Sequence, residues 1–341
     1  MPSYPLDIED VPSLQDYLRA TTRIDADEQP KVTLLAGGVS NRTVLVERPN
    51  GQAWVLKQAL EKLRVKADWF SDPRRIEREA LGMQRLAELA PSGAIARLIF
   101  LDPSHHLLAM EAVPKPHENW KSMLLAGQVE ADHVRQFAIL LGSIHRKGWE
   151  QRDQFANEFA DRSFFESLRL EPYYLSSAEQ RPGAGAFLRA LVDETRTTRY
   201  TLVHGDYSPK NVLIHDGRLI LLDHEVIHFG DGAFDIGFSL AHFLSKAHYL
   251  AQWRRTFADA AKEYWTNYLD GIGDVPWRCE LEPQTVRHTL ACLLARCVGR
   301  SPLDYLSENA KSRQAGVVET MMNTPPTRVA LMIDRFVAML D

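Results

Sequence analysis

The stretch Leu202-Val-His-Gly-Asp-Tyr-Ser-Pro-Lys-Asn-Val-Leu-Ile214, followed by Leu219-Ile-Leu-Leu-Asp-His-Glu225, constrains this chain more than any other. Asp216-Gly217 stands between two short apolar runs, the signal of a tight hairpin, because a two-residue turn of the right twist needs positive φ at both positions. Strands are expected over 212–214 and 219–222, paired roughly 5 Å apart. A hairpin folds its outer ends together, so Asn211 and Asp223 are expected to meet at the open end, with Asp206 on the loop leading in. Two aspartates and an asparagine that converge this way suit phosphoryl transfer: a carboxylate base for a hydroxyl, and two oxygen donors for a divalent cation. Glu225, two residues on, is a further candidate metal ligand. Asp235, at the start of an apolar helical run, reads instead as structural, bracing the loop through backbone N–H groups.

The rest of the chain divides by its periodicity. A short helix is expected over 12–18 and strands over 31–36, 43–48 and 53–57, with Asn50-Gly51 as a hairpin turn. Asp72-Pro73 offers an N-cap and a first-turn proline for a helix through Leu89. Apolar stretches over 96–101 and 106–110 complete a five-stranded sheet with one helix. After Pro114 and Pro116 the period becomes helical. Asp132 can cap a helix whose Val134, Phe137, Ala138, Leu141, Ile144 and His145 share one face, ending at Gly148. Residues 160–200 read as mostly helical, and further helices are expected over 234–250, 251–269, 284–298 and 327–340. The class is therefore α+β, with a β-rich N-terminal lobe over 1–112 and a larger helical lobe over 113–341; 341 residues, 45% hydrophobic and 25% charged, are enough for both.

A net charge of −5 argues against a dedicated nucleic-acid binder. No apolar run approaches the roughly 20 residues of a membrane span, and the acidic start lacks a signal-peptide core. Cys279, Cys292 and Cys297 lack C-x-x-C spacing and read as buried free thiols of a reducing compartment. The expectation is a cytoplasmic protein, monomeric or homodimeric, with no nucleic-acid or membrane partner.

Other candidates surround the hairpin. Lys57 shares a strand face with Val55, and an ammonium looking into a cleft could reach phosphates if a carboxylate held it. On the helix ending at Leu89, Glu79 falls among Ile76, Ala80 and Met83 while Glu77 rotates off, so Glu79 is the expected partner, since an inward carboxylate is costly unless paired. Gly37-Gly38-Val39-Ser40-Asn41 joins two strands; glycines there let N–H groups approach a phosphate, and Ser40 could add a hydroxyl. Met110-Glu111-Ala112-Val113 joins the lobes, where the backbone of Glu111 and Val113 could pair with an adenine edge. Arg296 lies in an otherwise apolar run and needs an anion or several acceptors. Trp69 sits on the approach to the Glu79 helix. His224-Glu225-Val226-Ile227-His228 matches the zinc-hydrolase pattern H-E-x-x-H, but that chemistry needs both histidines on a helix, and this one follows a strand and runs into Gly230 and Gly232.

Together these residues resemble the aminoglycoside phosphotransferase and choline kinase group of small-molecule kinases, a branch of the protein-kinase-like fold. His-Gly-Asp-x-x-x-x-Asn at 204–211 is similar to that group's catalytic loop, and Asp223-His-Glu225 to its metal-binding D-x-E. Val55-Leu-Lys-Gln-Ala-Leu60, the segment 69–81, and Asp223-His-Glu-Val-Ile-His-Phe-Gly-Asp-Gly-Ala-Phe-Asp-Ile-Gly237 are similar to methylthioribose kinases, which tend to carry adjacent arginines in a late helix where this chain has Arg296-Cys297. The resemblance implies transfer of the γ-phosphate of ATP to a hydroxyl of a small metabolite, with a methylthioribose-like sugar as one acceptor. It implies Asp206 as the catalytic base and Asn211, Asp223 and Glu225 around Mg²⁺. Lys57, Glu79, Gly38, Ser40, Glu111 and Val113 would attend the nucleotide, in an N-terminal lobe that binds it, and Arg296, His228 and Trp69 the acceptor. A catalytically idle kinase fold that only binds a nucleotide is the alternative from another class.

Overall fold

A computed structural model describes residues 6–35, 38–64 and 68–340. Gly37 of the glycine pair, Ala36 before it and Lys66-Ala67 on the approach to Trp69 lie outside the described residues. Strands β1 (Lys31–Leu34), β2 (Asn41–Glu47), β3 (Ala53–Ala59), β4 (Leu98–Asp102) and β5 (Leu107–Glu111) form an antiparallel sheet in the order β1-β2-β3-β5-β4. Alternation sorts its two faces. Val44, Val46, Trp54 and Leu56 point outward and close a small core with Leu14 and Leu18 of the Val11–Ala20 helix. Thr43, Leu45, Val55 and Lys57 point the other way and line a cleft. The β2–β3 turn falls at Asn50-Gly51, with Gly51 at φ 87° and the Arg48 N–H donating to the Gln52 carbonyl at 2.8 Å.

The helix beneath the sheet runs Arg75–Leu89, starting later than Asp72-Pro73 suggests. One Asp72 oxygen accepts from the Arg74 N–H at 2.9 Å and the other from its guanidinium, so Asp72 closes a turn ahead of the helix and does not cap it. Its inner face brings Ile76, Met83 and Leu86 into a second, larger core, which continues without a break through Leu108 and Met110 of the sheet to Phe137, Leu141, Phe234 and Leu294 of the helical part. The two layers therefore share apolar packing. A parallel bridge between Ile95 and Leu221 adds a backbone tie, with the Leu221 N–H donating to the Ala94 carbonyl at 2.8 Å.

The helical part is built on Ala131–Glu150, against which Arg254–Ile272 packs, and on Ala233–Tyr249, against which Arg278–Val298 packs. Two boundaries differ from expectation. Glu130, not Asp132, precedes the first helix, because Asp132 is occupied with Arg135 and Gln136. That helix also passes through Gly148, whose missing side chain makes room for another strand: a Cβ there would stand 2.5 Å from Thr201 Oγ1 and 2.8 Å from the Leu202 nitrogen. Three other features go beyond the sequence expectations: the Glu308–Asn323 helix, a π-helical stretch over Glu166–Leu175 with Pro172 inside it, and the entry of Arg278–Val298 ahead of Pro283. Cys292 and Cys297 are buried and unpaired as expected, but Cys279 is exposed. Among the described residues, no helix is long and apolar enough to cross a membrane.

Two small sheets sit where the parts meet. Strands β6 (Glu118–Asn119), β8 (Val212–His215) and β9 (Arg218–Leu221) pair in the order β6-β8-β9, and β7 (Thr201–Val203) pairs with β10 (His228–Gly230). The β8–β9 turn has Asp216 at φ 48° and Gly217 at φ 71°, the two positive values the sequence demanded. The Arg75–Leu89 helix lies close on the loop after β9, and Gly82 is the point of approach. A Cβ at Gly82 would meet His224 Cβ and Ile227 Cγ2 at 2.9 Å each. Gly82→Val is expected to lower stability by about 1–3 kcal/mol through overpacking, read as a lower urea midpoint with an unchanged slope.

Candidate active site

The loop between β7 and β8 is held from below by one carboxylate. Asp235, fully buried in the first turn of the Ala233–Tyr249 helix, accepts the His204 N–H at 2.7 Å and the Gly205 N–H at 2.8 Å, and His145 Nε2 lies 3.4 Å from it. Burial works to raise the Asp235 pKa, but the His145 contact, the nearby imidazoles and the backbone amides outweigh it and hold it below the usual carboxylate value. Gly205 has φ 78°, and a Cβ there would stand 2.8 Å from Val226 Cγ1, so both the turn and the space require glycine. With the loop so fixed, Asp206 points into the cleft. Its Oδ2 accepts from Asn211 Nδ2 at 2.6 Å and its Oδ1 pairs with Arg169 at 2.9 Å. The Asn211 carbonyl accepts the Leu222 N–H at 2.9 Å, which brings Asp223 alongside as the hairpin geometry demands.

Asp223 itself adopts φ 68°, a left-handed conformation that costs energy for a residue with a side chain. It faces Lys57, 3.1 Å from Nζ, and Lys57 is held from its other side by Glu79 at 2.6 Å. Burial disfavours the ammonium, but Asp223 and Glu79 outweigh it and raise the Lys57 pKa. Asp223 is shifted down, the charge of Lys57 overcoming burial. Glu79, fully buried behind the lysine, is shifted up because burial outweighs the same partner. Glu225 is fixed separately: Arg75 Nε reaches its Oε2 at 3.1 Å and Asn41 Nδ2 at 3.3 Å. The guanidinium of Arg75, fully buried, also binds the carbonyls of Ser40, Leu60, Ser71 and Asp72.

Asp206, Asn211, Asp223, Glu225, Lys57, Gly38, Ser40, Glu111, Val113, Trp69 and Arg296 all line one cleft of about 1120 Å³ between the sheet and the helices. Oxygens of Glu79, Asp223 and Glu225 lie within 4.8 Å of one another. Glu79 is committed to Lys57, which leaves Asp223, Glu225 and the neighbouring Asn211 as the oxygen-only set facing the cleft. Such hard donors fit Mg²⁺. The buried Asn41 Oδ1, beside Glu225, lacks a hydrogen-bond partner. Trp69 packs at the rim with its indole N–H on the Ser167 carbonyl at 3.1 Å, and the Glu111 carboxylate turns outward to Arg97 at 3.3 Å.

His228 is not part of the cleft lining. It is buried in β10, stacked on Phe165 at 4.0 Å, with Nδ1 3.0 Å from the Val226 carbonyl. The zinc reading fails with it: residues 225–226 form a turn and 228 begins a strand, so no helix sets the two histidines side by side. His224 instead meets His204, Nδ1 to Nε2 at 3.1 Å, and burial depresses the pKa of both rings. The sequence reading passed over Arg75 and Arg169. Arg169, between Leu168 and Leu170, carries the signal that singled out Arg296, whereas Arg75, between Arg74 and Ile76 in a charged segment, does not.

Residues 31–270 match the phosphotransferase enzyme family, and the chain belongs to that family. No curated protein sequence matches it. Solved structures share its fold at low identity, among them the following three. A choline/ethanolamine kinase family protein from Mesorhizobium loti is 14% identical over 96% of this chain and 99% of that one, with a TM-score of 0.54. The amicoumacin kinase hAmiN, in complex with AMP-PNP, Ca²⁺ and Ami, is 15% identical over 92% and 98%, with a TM-score of 0.53. The GDP and kanamycin complex of APH(2″)-IIia is 16% identical over 91% and 97%, with a TM-score of 0.51. The fold is the protein-kinase-like one, a small antiparallel sheet lobe beside a larger, mainly helical lobe.

The weight carried by Asp235 is measurable. Its depressed pKa contributes stability that is present above the ordinary aspartate value and is lost as pH falls through the folded value. Asp235→Asn is expected to cost about 2 kcal/mol at pH 7, and the gap to the parent should begin to narrow in urea melts as the pH falls below about 4, closing only once it has passed the lower folded value.

Proposed function

We propose that this protein transfers the γ-phosphate of ATP to a hydroxyl of a small metabolite. The observation that carries the reading is the single cleft in which the paired Asp206 and Asn211 stand with Asp223, Glu225 and the Glu79-held Lys57. Asp206, oriented by Arg169 and Asn211, would accept the proton of the attacking hydroxyl. Asn211, Asp223 and Glu225 would hold Mg²⁺, which when bound neutralises charge on the nucleotide phosphates. Lys57 would bind the α- and β-phosphates, and the backbone of Gly38 with the Ser40 hydroxyl would cover them. Glu111 and Val113, between the lobes, would present backbone groups to the base. On this reading residues 1–112 bind the nucleotide and 113–341 supply the catalytic loop and the acceptor pocket. The presence of AMP-PNP and Ca²⁺ in the amicoumacin kinase supports the pairing of nucleotide and cation.

Arg296 and Trp69, which line the cleft, would attend the acceptor, and a methylthioribose-like sugar is the first acceptor to assay. Unpaired cysteines support a reducing, cytoplasmic setting. The test is release of ADP from Mg-ATP across a panel of hydroxylated metabolites. Asp206→Ala is expected to lower kcat about 10²–10⁴-fold, and Asp223→Ala to abolish turnover, each with a folded far-ultraviolet spectrum. Normal turnover in either variant would refute these roles, and a nucleotide-binding protein with no turnover on any acceptor would be the idle form of the fold.

A further inference from the structure

The wall of the cleft beyond Asp206 is built from residues the transfer chemistry does not use. Arg296, on Arg278–Val298, and His242, on Ala233–Tyr249, line it with Tyr173, Phe238 and Ser301. One helical turn past His242 lies Lys246, fully buried. Its ammonium donates to the His242 carbonyl at 3.3 Å and stands 5.8 Å from the centre of the Tyr305 ring, which Lys121 approaches at the same distance. Against these cations stands Asp304, a largely exposed carboxylate that Lys121 holds at 3.4 Å. Among the described residues after Lys115, the acidic groups that line the cleft are Asp206, Asp223 and Glu225. Each already faces a cation: Arg169, Lys57 and Arg75 in turn. Burial, reinforced by Lys121 and Arg296, pulls the Lys246 pKa down to about 7, and the exposed Asp304 offsets this only in part.

Unspent donors mark the same place. One terminal nitrogen of Arg296 is bound to the Tyr173 hydroxyl and to Ser301, while its buried Nε has no partner, and neither has the buried Tyr305 hydroxyl. The wall is also within reach of the reacting end. The guanidinium carbons of Arg169 and Arg296 lie 5.5 and 5.7 Å from the centre of one ring, Tyr173, and Arg169 binds Asp206 directly. A hydroxyl at Asp206 and a second group at Arg296 are therefore separated by no more than the length of a small metabolite.

We propose that this wall selects acceptors that carry an anionic group, a carboxylate or a phosphate, bound by Arg296 with Lys246 and His242 behind it. The inference rests on the phosphotransferase reading and narrows its acceptor to anionic hydroxylated metabolites. The planar guanidinium suits such an anion. A polyamine acceptor would add positive charge to a wall with no free carboxylate to meet it, and a neutral sugar would leave Lys246 uncompensated.

Matched pairs test this on the full chain: gluconate and glucose, glycerate and glycerol, ribose 5-phosphate and ribose. Each is scored by ADP release with Mg-ATP and by the shift in melting temperature, and AMP-PNP with Mg²⁺ is scored separately by the melting shift alone. The anionic member of at least one pair is expected to raise the melting temperature and to show at least tenfold higher kcat/KM than its neutral partner. The carboxylate and phosphate pairs decide between the two anions. Lys246→Met should weaken the anion's effect at least tenfold without lowering the melting temperature of the free protein, and Arg296→Lys should retain more of it than Arg296→Ala. Equal use of neutral members, no shift from any anion, or an anion shift that survives both Lys246→Met and Arg296→Ala would overturn the proposal. AMP-PNP stabilisation without anion preference sinks this inference alone, whereas anion binding without any AMP-PNP effect sinks the nucleotide reading alone.

Discussion

A buried aspartate that spends its charge on two backbone amides is the interaction on which the site depends. Asp235 takes the N–H groups of His204 and Gly205, and the direction in which Asp206 points follows from that clamp. Loop geometry near reacting groups needs to be held to a fraction of an ångström for positioning to be effective. A loop alone does not provide that, but a loop pinned to the first turn of a buried helix does. The same logic recurs around the cleft. Arg169 fixes Asp206, Glu79 fixes Lys57, and Arg75 with Asn41 fixes Glu225. These three groups are each backed by an oppositely charged, buried partner, and the low-dielectric surroundings strengthen those pairs.

Much of this was legible in the sequence because it is local. Asp216-Gly217 forces the hairpin, the hairpin brings residues 211 and 223 together, and the two-residue alternation of β3 sends Lys57 to the face it occupies. The choice of Glu79 over Glu77 required only the helical period and the cost of an unpaired inward carboxylate. Asp235 was readable in the same way, as an acid opening a buried helix beside a loop rich in free N–H groups.

What was not legible depends on tertiary contact. Gly148 looks like a helix stop and is a point of close approach, a difference set by Thr201 and Leu202 more than fifty residues away. Asp72 and Asp132 have the composition of caps, but nearby arginines compete for their oxygens. His228 shares a motif with residues of the cleft yet lies in a fully buried strand, stacked on Phe165. Strands of two or three residues, such as β6, β7 and β10, are too short to show a period; β6 forms against the longer β8, and β7 and β10 form against each other.

Arg75 joins regions distant in the chain: the Ser40 carbonyl behind the glycine-containing loop, the Leu60 carbonyl after β3, and the Glu225 carboxylate. One guanidinium thus serves both the loop that would close over phosphates and a group that would grip the cation. Coupling between binding events is reciprocal. To the extent that Arg75 shifts when the loop settles on its ligand, the hold of Glu225 on a cation changes by the same free energy, and loading of the metal tightens the loop in return. Nucleotide and cation would then be taken up cooperatively rather than as independent guests.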